Sequence, residues 1–335
     1  QEFTDKLGRV ILKKVKSGTN SYYKTYYIYD DYGNLTYVVP PEAGVRIENT
    51  NDWTNLQADV FRQKWMFCYQ YDGRNRMIAK RVPGSAWMYM IYDQRDRLVL
   101  TQDGNQREGG VEIVDGELTI SRYEGKSYQL NTGARLKIKP GTGKFKFSSS
   151  PGKKFKASFD SVESTKKWIF TKYDELDRPV MTGFYYDSDS VHLIRAKVND
   201  SNVFDESYTG TGELEGYENN AFPPNVTAED LLTVTYYDNY DFTNEVAPDE
   251  SLKLEEGQLA GLLDLNGQVT GAKTRILGTC DWLESVTFYD NRYRPVKIIT
   301  DNHKNGQDIV VNRYRNKVSA LVDTTIMTHS SSDYT

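Results

Sequence analysis

The feature that most constrains this chain is an aspartate that follows an aromatic residue, directly or one residue later, and recurs seven times. In five of the seven stretches an arginine stands four residues after the aspartate, and in four of the seven an aliphatic residue or methionine follows that position. A repeat of this kind indicates that one structural unit is used many times. The seven are Asp5, Asp30, Asp72, Asp93, Asp174, Asp238 and Asp290.

The spacing predicts a β-hairpin at each aspartate. An aromatic strand ends there, and the aspartate side chain accepts backbone N–H bonds and starts a turn. Three residues later the chain needs a positive φ, as in a type I turn followed by a G1 bulge. The position holds glycine or the tolerant Asn and Asp in most units: Gly8, Gly33, Asn75, Asp96, Asp177 and Asp241. Tyr293 departs from this, which predicts an altered turn after Asp290.

The arginine begins the return strand, where it can pair with an aspartate or stack on a neighbouring ring. Loss of one turn aspartate, as in Asp93→Ala, is expected to cost ~1 kcal/mol. The 25 tyrosines favour an extensive sheet, because tyrosine is a strand former with an apolar ring and a polar tip. The predicted turn and strand residues are Asp5, Arg9, Asp30, Asp72, Arg76, Asp93, Arg97, Asp174, Arg178, Asp290 and Arg294.

This pattern resembles the YD repeats of the RHS family, which are large secreted and surface proteins of bacteria, and teneurins carry related repeats. The stretches "YYIYDDYGNLTYVVPPEAG" (26–44) and "FTKYDELDRPVMTGFYYD" (170–187) carry the resemblance most clearly. It implies an all-β fold, in which YD-repeat β-hairpins form a spiralling antiparallel sheet that is part of a hollow shell. The uneven spacing of the later aspartates requires insertions or degenerate units, and the family's C-terminal core motif and toxin segment have no match in this sequence.

The repeat predicts shell segments at residues 1–108 and 168–335, separated by an inserted small β module at 109–167. The insert has no Tyr-Asp unit, and from 122 to 167 it holds 12 Lys and Arg against 3 Asp and Glu. Deleting it and joining Gln106 to Trp168 is expected to leave the rest folded. Short helices are predicted at 52–63 and 227–232, and long loops at 187–226.

The basic insert has two interpretations. It is either a docking patch for an acidic partner, with Lys144, Lys146, Lys153 and Lys154 as its candidate residues, or a solvated sheet face whose lysines block edge pairing. Charge runs are usually solvated faces, so the second is preferred. Nucleic acid is not predicted as a partner, because the net charge is -5 and the insert's phenylalanines alternate with lysines.

No catalytic, metal or cofactor site is predicted. The three histidines are dispersed, and the sequence has no nucleophile-elbow, phosphate-loop or dinucleotide motif. Paired carboxylates as in glycosidases are the alternative use of the aspartates, but the turn accounts for all seven at once. Acidic loops at 187–189 and 200–205 have the oxygen ligands that calcium prefers, without the full loop pattern. No run approaches the roughly 20 apolar residues of a membrane span.

Two function classes follow. The first is a structural shell segment of a large secreted or surface-exposed bacterial protein, which encloses or displays other parts of that protein, such as a C-terminal toxin. Its partners would be the remainder of its own longer chain and secretion-machinery or surface proteins; the extracellular placement comes from the family resemblance alone. The alternative is an adhesin, or a glycan- or protein-binding module, that acts through the basic insert. An enzyme is not expected.

Overall fold

The computed structural model describes residues 1–19, 21–50, 54, 56, 58–104 and 106, six short strands between 111 and 159, and residues 166–245, 265–279, 281–290, 292–315 and 321–331. The three α-helices of this part of the chain are α1 (Pro41–Thr50), α2 (Asp59–Trp65) and α3 (Val191–Asn199). A 3-10 turn is present at Ala228–Asp230, within the short helix that the sequence predicted at 227–232.

The strands account for most of the regular structure. They are β1 (Glu2–Thr4), β2 (Val10–Lys16), β3 (Tyr22–Tyr29), β4 (Leu35–Val39), β5 (Phe67–Tyr71), β6 (Met77–Arg81), β7 (Met88–Tyr92), β8 (Leu98–Gln102), β9 (Val111–Val114), β10 (Glu117–Ile120), β11 (Tyr128–Leu130), β12 (Arg135–Ile138), β13 (Phe145–Ser148), β14 (Phe155–Phe159), β15 (Lys166–Tyr173), β16 (Pro179–Asp187), β17 (Tyr208–Gly212), β18 (Gly216–Tyr217), β19 (Leu231–Asp238), β20 (Leu265–Arg275), β21 (Trp282–Tyr289), β22 (Pro295–Asp301), β23 (Gln307–Tyr314) and β24 (Val322–His329).

Sixteen of these strands form one open antiparallel sheet, so the predicted all-β class is confirmed. The strand order follows the chain from β1 to β8, passes to β15 and β16, and continues from β19 to β24. The strands between 111 and 159 lie instead in two separate three-stranded sheets, of order β12-β10-β9 and β11-β14-β13. The division at 108 and 167 stays a prediction.

The chain divides into two compact units. The first comprises Gln1–Trp168 with Tyr186–Asn199, and the second comprises Ile169–Tyr185 with Asp200–Thr335. In the first unit α1 places Ala43 and Ile47, both fully buried, in a cluster with Val39, Met66 and Cys68. Burial raises the pKa of the Cys68 thiol, as expected for a cysteine that serves as a core residue.

The helices were only partly predicted. The expected helix at 52–63 is displaced to α2, and α1 begins at Pro41, a residue suited to a first helical position because its missing N–H would lack a partner there. Residues 187–226 include irregular stretches, as expected, but they also form α3, which the sequence did not predict and which buries Ile194 and Val198 and contacts β7. Such short helices depend on the apolar surface they cover more than on their own sequence.

The second unit has an aromatic core. Val286, Phe288, Val296 and Ile299 are buried together on β21 and β22. On β19, Tyr236 is 2% exposed, and its ring stacks on Phe242 with a centroid distance of 4.1 Å. A Cβ on Gly271 would lie 2.2 Å from the same Phe242 ring, so only glycine fits at that point of β20. Within the described residues, no helix is both long and apolar enough to cross a membrane.

Candidate functional site: the row of Tyr-Asp turns

Six of the predicted aspartates occupy the same hydrogen-bonded turn. In each, the aspartate backbone N–H donates to the carbonyl oxygen four residues later, and the N–H of the third residue returns a bond to the aspartate carbonyl, at 2.9–3.2 Å. The carboxylate Oδ1 accepts the N–H groups of the second and fourth residues at 2.8–3.0 Å. Each side chain therefore satisfies two turn donors. The six are Asp5, Asp30, Asp72, Asp93, Asp174 and Asp290.

The residue four positions after the aspartate completes the turn from the side. In five units the arginine Nε donates to the aspartate Oδ2 at 2.6–2.8 Å, and in the Asp30 unit Asn34 Nδ2 donates at 3.1 Å. One carboxylate has to accept two backbone N–H groups and the arginine Nε, and only an arginine four residues after the aspartate is placed to do this. That explains why the arginine stands at this position. The arginines are Arg9, Arg76, Arg97, Arg178 and Arg294.

The third residue after each of these aspartates has a positive φ, between 59° and 87°. This includes Tyr293, at φ 60°, where the same hydrogen bonds form as in the other units. The expectation of an altered turn after Asp290 is therefore wrong. The hydrogen bonds of the turn place a tyrosine in a conformation that residues with a Cβ seldom adopt.

The Asp238 unit uses its aspartate differently. Asp238 itself has φ 71°, and its Oδ1 accepts the backbone N–H of Gly267 at 2.7 Å, across the connection between β19 and β20. Asp241, which the spacing placed at the positive-φ position, does not have a positive φ. The carboxylate thus joins the two strand ends of a long connection where the other aspartates close a short turn.

Tyrosine hydroxyls connect several of the turns to a neighbouring repeat. In five cases a tyrosine at or next to the end of an incoming strand donates its hydroxyl to the backbone oxygen of the first return-strand residue in the preceding repeat, at 3.0–3.1 Å. The donor and acceptor pairs are Tyr29 to Val10, Tyr71 to Leu35, Tyr92 to Met77, Tyr237 to Pro179 and Tyr314 to Pro295. Tyr289 makes the related bond to Val269 at 2.8 Å. We call this contact the tyrosine lock.

The arginines take part in the same contact. The guanidinium of one repeat lies over the lock tyrosine of the next, at 4.2–5.0 Å from the ring centroid. The pairs are Arg9 with Tyr29, Arg76 with Tyr92, Arg178 with Tyr237 and Arg294 with Tyr314. One arginine therefore closes its own turn and holds the neighbouring tyrosine, a combination that the planar guanidinium permits and a lysine ammonium does not.

Two arginines also reach the next turn directly. Arg76 Nη1 donates to Asp96 Oδ1 at 2.7 Å, and Arg178 Nη2 donates to Asp238 Oδ2 at 2.8 Å. Asn34, which replaces an arginine, donates instead to Asn75 Oδ1 at 3.1 Å. Within each of the two compact units of the chain, the turns thus form a row of linked polar contacts.

Burial of the ion pairs varies along the row. Side chains of Asp93 and Arg97 are 5% and 8% exposed, whereas those of Asp5 and Arg9 are 21% and 30% exposed. The backbone N–H of Arg9 is the main cause that lowers the pKa of Asp5. At Asp72, burial alone would raise the pKa of the carboxyl, but hydrogen bonds from Arg76 outweigh it and hold that pKa below its usual value.

One turn of the same kind escaped the Tyr-Asp pattern. Asn302 accepts the N–H groups of Lys304 and Gly306, and Asn305 has φ 55°, so this is the same turn with asparagine for aspartate. Tyr314 ends β23 like a lock tyrosine, but Arg315 stands where an aspartate is usual. Only the tyrosine before the turn, which recurs in most units, signalled the lock.

A buried ion pair was also missed. Lys172 Nζ lies 2.7 Å from Glu206 Oε1, and both side chains are fully buried. Lys172 also donates to Asn219 Oδ1 at 2.7 Å, and Glu206 accepts the N–H groups of Asn220 and Ala221. Burial lowers the pKa of Lys172, and Glu206 opposes that shift. This network fastens the segment from 206 to 221 to β15.

The remaining candidates are not assembled into a site. Lys144, Lys153 and Lys154 lie outside the described residues, and Lys146 is placed on β13 only by its backbone. In the acidic loop at 187–189, Lys197 Nζ contacts Asp187 and Asp189 at 2.6 and 2.8 Å, so an ammonium group occupies the position of a cation. Throughout the described residues, no cluster of three or more metal-ligating side chains occurs.

Comparisons with known proteins give a fold-level likeness only. No protein-family model and no curated protein matches the sequence. A crystal structure of TcdB2-TccC3 is similar over 98% of this chain and 12% of its own, with 10% identity and a TM-score of 0.37. A Tc holotoxin pore of Photorhabdus luminescens is similar over 98% of this chain and 15% of its own, with 10% identity and a TM-score of 0.30. The chain thus spans less than a sixth of either, and TM-scores below 0.5 carry no weight for function.

Proposed function

We propose that this chain is a segment of the wall of a hollow β-sheet shell, in a large secreted or surface-exposed bacterial protein of the RHS type. The observation that carries the proposal is the tyrosine lock, which repeats with one donor and one acceptor position in both units. A contact that joins only nearest neighbours builds an array that can be extended without limit. That property suits a wall.

The polar groups of the row are used for structure. The turn carboxylates accept backbone and arginine donors, and the arginines hold rings, so neither is offered to a substrate. We therefore expect no catalysis by this chain. The partners of the wall are the other repeats of its longer chain and whatever the shell encloses, such as a C-terminal toxin.

Electron microscopy of the longer protein that contains this sequence tests the proposal. A closed shell with an internal cavity, into which this segment fits as part of the wall, is the expected image. A solid rod, or a flat sheet with two accessible faces, would contradict it.

The charge of the insert favours one second candidate, an adhesin or a glycan- or protein-binding module. Twelve Lys and Arg against three Asp and Glu in residues 122–167 would attract an acidic partner, and such binding weakens with salt. A glycan array probed at two ionic strengths tests this candidate. Salt-sensitive binding that is lost on neutralising Lys144, Lys146, Lys153 and Lys154 would replace the purely structural role.

A further inference from the structure

The buried pair of Lys172 and Glu206 has a third member, Asn219. Lys172 lies on the face of β15 that also carries Trp168 and Phe170, and all three residues of that face are at most 1% exposed. The Nζ atom of Lys172 contacts two oxygens at the same distance of 2.7 Å, Glu206 Oε1 and Asn219 Oδ1. Lysine is seldom fully buried, and a buried ion pair is often no more stabilising than apolar side chains of the same volume. The place of this lysine in the core therefore calls for a reason other than stability.

The side-chain amide of Asn219 is held in one orientation beside the lysine. Its Nδ2 donates to the carbonyl oxygen of Val226 at 2.8 Å, so Oδ1 is the atom that meets Nζ. The two residues that follow are held by Glu206, whose carboxylate oxygens accept the backbone N–H groups of Asn220 and Ala221 at 2.9 Å. The amide carbon Cγ, one bond beyond Oδ1, is thus kept next to a lysine nitrogen that is closed off from bulk water.

A lysine nitrogen is a nucleophile only when it is neutral. Burial lowers the pKa of Lys172, although Glu206 opposes that shift. Transfer of one proton along the 2.7 Å hydrogen bond from Nζ to Glu206 Oε1 turns the ion pair into an amine and a carboxylic acid. An interior of low polarity favours this exchange, because it disfavours both charges. The carboxyl group of Glu206 is therefore placed to act first as a base toward Nζ and then as an acid.

We propose that Lys172 and Asn219 become joined by an intramolecular isopeptide bond, with Glu206 as the group that moves the protons. The lone pair of Nζ attacks Cγ of Asn219, so that the Nζ–Cγ bond forms and the Cγ–Nδ2 bond breaks. Glu206 gives the proton it took from Nζ to the departing Nδ2 and takes a second proton from Nζ, and ammonia leaves. Nothing is oxidised or reduced, and no co-reactant is needed. The reaction happens once in each chain, so it produces a cross-link and no turnover.

The bond ties a segment outside the large sheet to one of its strands. Lys172 belongs to β15, whereas Asn219 follows β18, which pairs with β17 in a sheet of two strands. The two residues are 47 positions apart in the sequence. A covalent link across a loop of this length restricts the unfolded chain as a disulfide does, and it does not depend on the redox state of the surroundings.

Mass spectrometry of the whole chain tests the proposal. Formation of the link removes one ammonia, so the denatured chain should be lighter than its sequence by about 17 Da. An N-terminal glutamine such as Gln1 releases the same mass when it cyclises, so the linked peptide decides. After trypsin digestion, we expect a branched peptide in which residue 172 is joined to residue 219, without cleavage after 172, because an acylated lysine has lost the charge that trypsin requires.

Three variants separate the roles of the side chains. Lys172→Arg keeps the positive charge but has no amine nucleophile, so it should give no branched peptide. Glu206→Gln cannot carry the protons, and after refolding for a fixed time its linked fraction should be at least about 10-fold lower than the parent's. Lys197→Arg, at the exposed ion pair with Asp187, is the matched control and should be linked as fully as the parent. Circular dichroism checks that each variant keeps the parent's strand content.

Three results would overturn the proposal: a folded parent chain that gives only the unlinked peptides, a branch at another lysine, or an equal linked fraction in Glu206→Gln. The first of these needs no variant, so a variant that fails to fold does not remove the test. A failure of the longer protein to form a hollow shell would leave all of these measurements unaffected. Loss of the proposed function and loss of the cross-link are therefore distinguishable.

Discussion

At the scale of the residue, the aspartate of each repeat does more than start a turn. Its two oxygens are shared between two backbone N–H groups and one arginine, so a single carboxylate ends one strand and positions the next. The free energy that depends on it varies with burial, because an ion pair is screened in water and much less so when both partners are covered.

The most buried of these pairs in the first unit gives the clearest prediction. Asp93→Ala removes the charge partner of an arginine that is 8% exposed, so we expect a loss of about 3 kcal/mol in the free energy of unfolding. This exceeds the ~1 kcal/mol that lost turn hydrogen bonds alone predict. Urea unfolding measures it. Asp5→Ala, at an exposed turn, is the matched control, and an equal loss in both variants would contradict the role of burial.

Low pH should lower the stability that the row of Tyr-Asp turns contributes. The pKa of Asp72 is held below its usual value in the folded chain, so its contribution is present above about pH 4 and is lost as the pH falls through the folded-state pKa. Asp72→Asn lacks this contribution. Its stability deficit relative to the parent should therefore be largest near pH 7 and should shrink below about pH 4. Urea unfolding at both pH values, with the exposed Asp31→Asn as control, measures the difference; a pH-independent deficit would refute it.

At the scale of the element, hairpins are joined by backbone pairing and by the lock. Tyr92 combines both parts of the lock, since its hydroxyl donates to Met77 O at 3.0 Å and Arg76 lies 5.0 Å from its ring centroid. An isolated hairpin is marginal in water, so contacts between hairpins are needed for a stable sheet.

Removing one lock hydroxyl tests its contribution. Tyr92→Phe should lower the free energy of unfolding by about 1 kcal/mol, because a partly buried carbonyl loses its donor while the ring and its cation–π contact stay. Tyr32→Phe is the control, since that side chain is 84% exposed, and it should change stability by less than about 0.5 kcal/mol. Thermal unfolding compares the two. Equal melting temperatures for both variants would mean that the locks do not stabilise the sheet.

The buried Lys172–Glu206 pair provides a second test at this scale. Lys172→Met leaves a buried carboxylate without its charge partner and should cost about 3 kcal/mol. Adding Glu206→Gln removes that charge and keeps an acceptor oxygen for one of the two N–H groups, those of Asn220 and Ala221, which bind separate carboxylate oxygens; the double variant should therefore recover part of the loss. Urea unfolding of both variants measures the recovery. A double variant less stable than Lys172→Met would show that the carboxylate is needed for its backbone contacts.

At the scale of the whole molecule, the large sheet passes from β8 to β15 without using the strands between 111 and 159. The side chain of Gln102 donates to the carbonyl of Lys167 at 3.1 Å, next to the two ends of that excursion. The large sheet and the strands between 111 and 159 are therefore separate in strand pairing.

Deleting residues 107–165 should leave the large sheet folded. Joining Gln106 to Lys166, the first residue of β15, preserves the Lys167 carbonyl and the order of the large sheet. We expect the shortened chain to be soluble and to retain its strand content by circular dichroism, with one cooperative melting transition or two. Aggregation, or loss of the β-sheet signal, would show that the large sheet needs the deleted residues.

The sequence by itself determined the hairpins. Asp174, its arginine at 178 and the positive-φ residue between them lie within five positions, so their contacts are local and any return strand has to begin at the same place. For that reason the spacing predicted the turns, the antiparallel sheet and the all-β class. It failed at Tyr293, where the residue type argues against a conformation that neighbouring contacts impose.

Tertiary structure decided everything that joins distant positions. Tyr237 meets Pro179 across 58 residues, and Lys172 meets Glu206 across 34, because the strand order and a returning segment bring them together. Likewise, α3 forms where a sheet face remains to be covered, although its own sequence reads as a polar loop. Short-range hydrogen bonds are specified by spacing along the chain, whereas burial and long-range partners exist only after the sheet has assembled.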